Sequence, residues 1–171
     1  MVNDKFISAV PAMRILENEH RYLSHLMNEW HSIVLNIQNN AYPLDLARAE
    51  FARLRSLLIE FKEPLAKHTK KEETFFFPLL GQYIGYEQGP IMTIEQEHEE
   101  VAAYIDHFLH YSDGEFAMEE MQAMARDAGE AFEILTVHFV KEETVLFPMT
   151  AQVMRKGDTD RLFEDMHTLI V

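Results

Sequence analysis

Apolar residues recur along the chain at alternating steps of three and four, the spacing of one face of an α-helix. Four stripes with this spacing follow one another and predict four long helices. The first two are Met13, Leu16, His20, Leu23, Met27, Trp30, Val34, and Phe51, Leu54, Leu58, Phe61, Leu65, His68, Glu72. The other two are Ile91, Ile94, His98, Val101, Ile105, Phe108, and Met121, Met124, Ala128, Ala131, Leu135, His138, Glu142, Val145, Met149.

Residues that end helices lie between the stripes and predict three short connections. They are Asn39 and Asn40 before Pro43, then Gly81, Gly85, Gly89 and Pro90, then Ser112, Asp113 and Gly114. The segment 81–90 spans at most about 36 Å, which is shorter than the roughly 50 Å of a helix over residues 44–80. Consecutive helices therefore run in opposite directions. The predicted fold is all-α, an antiparallel up-down-up-down four-helix bundle with a short C-terminal helix.

The length of 171 residues suits one domain with its own core. We expect a single domain over residues 1–171, with the bundle at about 12–155 and the tail helix at about 158–171. Gly157 is predicted to end the fourth helix, and Asp158 or Thr159 to cap the tail helix. Pro64 predicts a kink in the second helix.

The tail helix has an apolar face, formed by Leu162, Phe163, Met166 and Leu169. This face is expected to pack either on the bundle or on a second copy of the chain. The sequence leaves both arrangements open, so a homodimer is one of the two expected states.

Two segments of the chain repeat one pattern. Residues 68–78 read HTKKEETFFFP and residues 138–148 read HFVKEETVLFP, which agree at seven of eleven positions. A histidine also ends the related segments ENEH, at His20, and EQEH, at His98. Two helical hairpins related by a pseudo-twofold axis explain the repetition. Lys71 and Lys141, which precede a glutamate in both repeats, are expected to be solvated.

The amino-acid composition excludes several classes of function. The chain has 29 Asp and Glu against 15 Lys and Arg, a formal net charge of -14, and no basic cluster, so nucleic acid is not an expected partner. Cysteine is absent, which excludes disulfides, thiolate metal sites and cysteine nucleophiles. No apolar run approaches the ~18 residues of a membrane span. Residues Met1 to Val10 carry Asp4 and Lys5 and no long apolar core, so we expect a cytoplasmic protein.

Titratable residues occupy positions that face the predicted core. The six are His20, His68, Glu72, His98, His138 and Glu142. In an antiparallel bundle the four histidines lie roughly 12 to 20 Å from one end. Each glutamate lies one helical turn after a histidine, on the same face. A buried carboxylate is costly unless it is paired or bound to a metal. Two such pairs predict two metals, with the glutamates as candidate bridges, and a hydrogen-bonded polar core is the competing interpretation.

These six residues, on four successive helices, resemble the hemerythrin-like domain, also called the HHE cation-binding domain. The resemblance covers about residues 12–155. It implies a non-heme di-iron centre with an oxo or hydroxo bridge, in which the four histidines are terminal ligands and Glu72 and Glu142 bridge. It also implies binding of a diatomic ligand, O2 or NO, for sensing, scavenging or storage.

The sequence departs from the oxygen-carrying hemerythrins at two positions. Ala102 stands where those proteins have a further histidine, four residues after the third ligand. They also use an aspartate five residues after the last histidine, whereas here Glu142 lies at four and Glu143 at five. The lost nitrogen is expected to leave a coordination position open to water, O2 or NO.

Alternative functions remain open at this point. The ligand set also resembles bacterial iron-centre repair proteins that respond to nitrosative stress, although those carry an extra cysteine-containing domain. Glu17 with His20 and Glu95 with His98 form Glu-x-x-His pairs, as in ferritin-like proteins, which would indicate a ferroxidase or iron storage. If the histidine ligands are as assigned, Glu17 and Glu95 are expected to accept hydrogen bonds from them. A metal-free bundle that acts through its surface is the third alternative, and whether the protein is an enzyme stays open.

Overall fold

A computed structural model describes residues 8–87 and 89–171. Every regular element in this part of the chain is a helix, which confirms the all-α prediction. The elements are α1 (Pro11–Gln38), α2 (Leu44–Lys71), a first π-helical segment π1 (Glu72–Phe76), α3 (Phe77–Ile84), α4 (Pro90–Tyr111), α5 (Met118–Lys141), a second π-helical segment π2 (Glu142–Leu146), α6 (Phe147–Val153) and α7 (Lys156–Asp165). The four predicted stripes lie on α1, α2, α4 and α5, and the second and fourth continue into the shorter segments that follow α2 and α5. Most of their residues are buried.

The four long helices pack side by side. Helix α1 contacts α2 and α5, and helix α4 contacts the same two partners. Their buried side chains form two separate apolar clusters. The larger cluster begins at Leu23 on α1 and at Val101 on α4, and the smaller one ends at Leu16 and Ile94 on those helices. The predicted ligand residues therefore lie between the two clusters.

The π-helical segments begin at the two predicted bridging glutamates. The amide of Phe77 donates to the Glu72 carbonyl, and the amide of Phe147 donates to the Glu142 carbonyl, five residues back in each case. Each segment is followed by a proline, Pro78 or Pro148, which lacks the N–H group that would continue a regular ladder. Short π-helical turns inside α-helices are frequent at functional sites.

The π2 segment corrects the predicted core face of the fourth helix. The wider turn moves the later residues round the helix axis, so the buried position after Glu142 is four residues on rather than three. Val145, predicted to face the core, is 44% exposed, whereas Leu146 is 1% exposed. Met149 is only half-buried, and Thr150 takes the buried place.

Two predicted helix ends are wrong. Gly81 lies inside α3, next to the Tyr86 ring. Gly157 lies in the first turn of α7, and Arg155 rather than Asp158 or Thr159 precedes that helix. The turn is held by Tyr83 of α3, whose hydroxyl accepts a hydrogen bond from the Arg155 amide and donates to the Asp158 carboxylate.

The C-terminal segment packs on the described helices of its own chain. Helix α7 contacts α1, and Leu162, Met166 and Ile170 are buried. The helix ends at Asp165, six residues before the end predicted for it. Leu169, predicted to lie on the apolar face of this helix, is 82% exposed. The homodimer stays a prediction.

Pro64 lies buried inside an uninterrupted α2, and the kink expected there stays a prediction. In the described residues no helix is long and apolar enough to cross a membrane. The expected cytoplasmic location also stays a prediction. Residues 1–7, which include Asp4 and Lys5, and residue 88 lie outside the described residues, so the predictions that concern them are not addressed by the fold.

Candidate metal centre

All six predicted ligand residues are buried and meet in one layer. They form two groups of four in which one nitrogen or oxygen atom per residue lies within 4.8 Å of the others. The first group is His20, His68, Glu72 and Glu142, and the second is Glu72, His98, His138 and Glu142. Both groups share the two glutamates. This is the arrangement expected of two metal positions bridged by two carboxylates.

Local helix geometry brings each histidine to its glutamate. His68 lies in the last turn of α2, and Glu72 begins π1 one turn later, so Nε2 and Oε1 are 2.5 Å apart. His138 and Glu142 repeat this arrangement at the end of α5, at 2.6 Å. Helices α1 and α4 contribute the two remaining histidines from the middle of each helix.

Every candidate histidine ligand contacts a carboxylate through its outer nitrogen, Nδ1. The pairs are His20 with Glu143 at 3.0 Å, His68 with Glu19 at 2.9 Å, His98 with Glu73 at 2.9 Å and His138 with Glu97 at 3.2 Å. An ionised carboxylate only accepts hydrogen bonds, so each Nδ1 carries its proton and donates. In a neutral imidazole the inner nitrogen, Nε2, then has its lone pair available for a metal, as in most histidine metal sites.

Two lysines continue these contacts outward. Lys71 Nζ donates to Glu19 at 2.5 Å, and Lys141 Nζ donates to Glu97 at 2.6 Å. Lys71 is buried and also donates to the carbonyl of Thr168 in the C-terminal segment, whereas the Lys141 side chain is 46% exposed. The prediction that both lysines are solvated is therefore wrong for Lys71. Each lysine fixes the carboxylate that orients a histidine.

Glu17 and Glu95 do not have the role predicted for them. The Glu17 carboxylate accepts hydrogen bonds from the amide and hydroxyl of Ser8. Neither residue belongs to the two ligand groups found in the described residues. Both precede a histidine by three residues on its own helix, whereas the actual acceptors come from neighbouring helices. A signal was present in the sequence: a glutamate stands directly beside His20, Glu72, His98 and Glu142.

The residues present fit a pair of metal ions. Within residues 8–87 and 89–171, His20 Nε2 and the Oε2 atoms of Glu72 and Glu142 are buried without a hydrogen-bond partner, and the Oε1 atom of each glutamate faces a histidine Nε2 at 2.5 or 2.6 Å. The Nε2 atoms of His98 and His138 face each other at 3.0 Å although both rings use Nδ1 as the donor. Buried polar atoms are rarely left without a partner, and a bound cation satisfies all of these. The donors are nitrogen and oxygen, which suit iron or manganese.

The metal-free site has an uneven distribution of protons. Burial raises the pKa of Glu142 well above its ordinary value, and the neighbouring Glu72 carboxylate raises it further. Burial opposes the positive charge of His68, but Glu72 and the hydrogen bond to Glu19 raise its pKa to about 9. Burial lowers the pKa of His138 to about 4 and also lowers that of His20. A metal must therefore displace protons from His68 and Glu142.

Aromatic rings border the ligand layer on the side of both apolar clusters. Phe139 stacks on His20 with ring centroids 4.1 Å apart, and Phe147 stacks on the same imidazole at 5.5 Å. Phe77 stacks on His98 at 5.9 Å. These contacts fix the imidazole planes and exclude water from the inner side of the site.

Two surface cavities reach this layer. A cavity of about 670 Å³ between α1 and α5 ends at His20 and Glu143. A cavity of about 300 Å³ between α2 and α4 ends at His98 and Glu73 and is lined by Ala102, the position where the oxygen carriers have a fifth histidine.

Comparison with known proteins agrees with this geometry. The family described as the hemerythrin HHE cation binding domain matches residues 12–150. Curated relatives include the "Iron-sulfur cluster repair protein YtfE" of Salmonella paratyphi B (strain ATCC BAA-1250 / SPB7) and of Salmonella newport (strain SL254). Each is 32% identical over 100 residues, which cover 56% of this chain and 46% of the relative. The chain thus spans about half the length of these relatives. No solved structure matches.

Proposed function

Since the chain belongs to the hemerythrin HHE cation-binding family, we propose that its six buried ligand residues hold the two irons of the di-iron centre. The ligands are His20, His68, Glu72, His98, His138 and Glu142. We further propose that this centre binds O2 or NO, and that the protein senses, scavenges or stores that gas.

One observation carries the ligand assignment. Two groups of four nitrogen and oxygen donors share Glu72 and Glu142, and every imidazole in them contacts a carboxylate through Nδ1. A hydrogen-bonded polar core would pair the inner atoms with one another. Here His20 Nε2 and the Oε2 atoms of both glutamates lack hydrogen-bond partners among the described residues, so a polar core explains less than a metal does.

The proposed fold around the centre is the antiparallel up-down-up-down four-helix bundle. Contacts between α1 and α2 support opposite directions, because Glu29 contacts Arg53 whereas Glu19 contacts His68. Contacts between α4 and α5 do the same, because Glu97 lies at His138 whereas His107 lies at Asp127. The proposed domain comprises the bundle and the C-terminal segment.

The protein's own residues prepare the site for a diatomic ligand. When bound, the two irons would supply an open coordination position and the electrons for any reduction of the gas. Glu143, Glu19, Glu73 and Glu97 hold the four imidazoles in place, and the Phe139 and Phe147 rings keep the inner side free of water. Ala102 supplies no ligand atom, which supports an open position beside His98.

Metal content and an anaerobic ferrous titration test the proposal. We expect two irons per chain, followed by a new absorption spectrum when O2 or NO is added. His68→Ala and His138→Ala should each reduce iron binding, whereas His25→Ala and His110→Ala, at exposed positions, should not. Two irons retained in both ligand variants would refute the assignment.

Repair of iron centres under nitrosative or oxidative stress is a second candidate, because the relatives of 32% identity are named as iron–sulfur cluster repair proteins. Since the match covers only 46% of those proteins, this activity needs a separate test. Iron-loaded protein should restore the activity of a nitric-oxide-damaged iron–sulfur enzyme if the candidate is right. Simple gas binding predicts no restoration, and rapid turnover of added ferrous iron would instead indicate a ferroxidase.

A further inference from the structure

The two cavities that reach the ligand layer are related by the internal repeat. Each lies beside one ligand histidine and the glutamate that accepts its Nδ1 hydrogen bond: His20 and Glu143 in the larger, His98 and Glu73 in the smaller. The position four residues after that histidine lines both cavities, as Ser24 and as Ala102. The two cavities are therefore equivalent entrances to one site, and their lining residues can be compared position by position.

The two entrances differ at two equivalent positions of the repeat. The larger cavity has the hydroxyl groups of Ser24 and Thr136 where the smaller one has the methyl groups of Ala102 and Ala66, and the hydroxyl groups of the smaller cavity, on Thr69 and Thr74, lie at other positions. The Thr136 hydroxyl donates to the Phe132 carbonyl, which leaves its own oxygen free to accept. Hydroxyl oxygens can replace water molecules around a hard cation as it moves inward, and methyl groups cannot.

The larger entrance is also the more negative of the two. Glu17, Glu143 and Arg21 line the larger cavity, a formal charge of -1, whereas Lys62, Lys70 and Glu73 line the smaller one, a formal charge of +1. Lys62 is paired with Asp106 outside the cavity at 2.6 Å, which leaves the smaller entrance close to neutral. A charged entrance concentrates ions of opposite sign and raises their rate of entry.

We propose that ferrous iron enters the centre through the cavity between α1 and α5, and that the cavity between α2 and α4 does not admit it. This inference rests on the proposed function, because it takes iron as the cargo. Ferrous ions pass the hydroxyl groups of Ser24 and Thr136 and reach Glu143 and His20 at the inner end.

The rate of iron uptake by the metal-free protein tests the route. Ferrous iron is mixed anaerobically with the full chain, and the iron left free is measured against time with a colorimetric chelator. Ser24→Phe fills the larger entrance and should slow uptake by about tenfold. Ala102→Phe, at the equivalent position of the smaller entrance, should leave the rate unchanged. The final iron content should be two per chain in both variants.

The outcomes separate the route from the proposed function. Slowing by Ala102→Phe, by both variants or by neither overturns the route while leaving the di-iron centre intact. An iron content of zero in the parent protein overturns the proposed function itself.

A charge exchange keeps the route falsifiable if Ser24→Phe does not fold. Arg21→Glu removes the cation from the larger entrance and should speed uptake about threefold at low ionic strength, an effect that salt suppresses. Lys70→Glu is the control at the smaller entrance and should not change the rate. Faster uptake by Lys70→Glu and not by Arg21→Glu would assign entry to the other cavity.

Discussion

At the scale of single residues, the candidate site consists of the six proposed ligands and of the carboxylates that contact the four histidines. Spacing on the apolar stripes was sufficient to predict that His20, His68, His98, His138, Glu72 and Glu142 lie together, because core-facing polar residues at one depth must meet. The same spacing did not predict which carboxylates accept hydrogen bonds from the histidines. Glu19 and Glu97 lie next to a ligand on the helix surface, and only packing against the neighbouring helix decides which imidazole they contact.

Replacing an acceptor should weaken metal binding without removing a ligand. Glu19→Gln and Glu97→Gln keep the shape of the side chain but lose the charge that orients His68 and His138, so we expect iron affinity to fall by about 10- to 100-fold. Competition with a chelator of known affinity measures this. Glu95→Gln is the control, since Glu95 is half-buried and lies outside both ligand groups. An equal loss in the control would contradict the assignment.

The raised pKa of His68 should make the metal-free protein sensitive to alkaline pH. Its pKa is about 9 in the folded chain against an ordinary 6.5, so protonated His68 stabilises the fold below pH 6.5. That stabilisation is lost as the pH rises through about 9, and the raised pKa of Glu142 acts in the same direction. We expect the Tm of the metal-free protein to fall by roughly 5 °C between pH 6.5 and 9.

Iron-loaded protein serves as the comparison in this measurement. A metal bound at Nε2 would keep His68 neutral throughout the range, so the Tm of the loaded protein should vary less. A metal-free protein whose Tm is flat or rises over the same range would show that His68 is not protonated in the folded chain.

At the scale of elements, the four long helices followed from the apolar period, but the two π-helical segments did not. An α-helical period extrapolated past Glu142 put Val145 in the core, and the wider turn puts Leu146 there instead. The identical KEET sequence runs into both segments, and a proline lies two residues after the end of each. The period of the apolar residues is an average over many turns of a helix. It therefore does not reveal a single turn that contains one additional residue, although such a turn changes which later residues face the core.

Core mutations test the phase of the helix after the π2 segment. Leu146→Ala removes a buried side chain and should lower the free energy of unfolding by about 2–4 kcal/mol. Val145→Ala changes an exposed side chain and should cost less than about 0.5 kcal/mol. Urea unfolding of both variants measures the difference. The reverse order of the two values would favour the uninterrupted α-helix that the sequence predicted.

At the scale of the whole molecule, the ligand layer separates two apolar clusters and the C-terminal segment makes its two halves unequal. The repeats of the sequence indicated equivalent halves. In the structure the two halves are equivalent in the six proposed ligands and in the carboxylates that contact the histidines. They differ further out, because the Thr168 carbonyl contacts Lys71 whereas Lys141 is half-exposed. The position of a segment after the last repeat cannot be derived from the repeats.

Removing the C-terminal segment should therefore affect stability. A chain ending at Asp165 loses the buried side chains of Met166 and Ile170 and the Thr168 carbonyl that contacts Lys71. Burial of two such side chains contributes about 3–6 kcal/mol. We expect a loss of at least half of that in the free energy of unfolding, measured by urea denaturation of the metal-free protein.

The same truncation should release metal unevenly. Lys71 holds Glu19, and Glu19 orients His68, so exposure of Lys71 should loosen the metal position formed by His20 and His68. Transfer of iron to a chelator should then become biphasic, with one iron leaving faster than in the full chain and the other unchanged. Leu169→Ala is the control, because that side chain is largely exposed and its loss should alter neither stability nor release. If both irons leave the truncated chain at one faster rate, the segment stabilises the whole layer, and the two halves are equivalent after all.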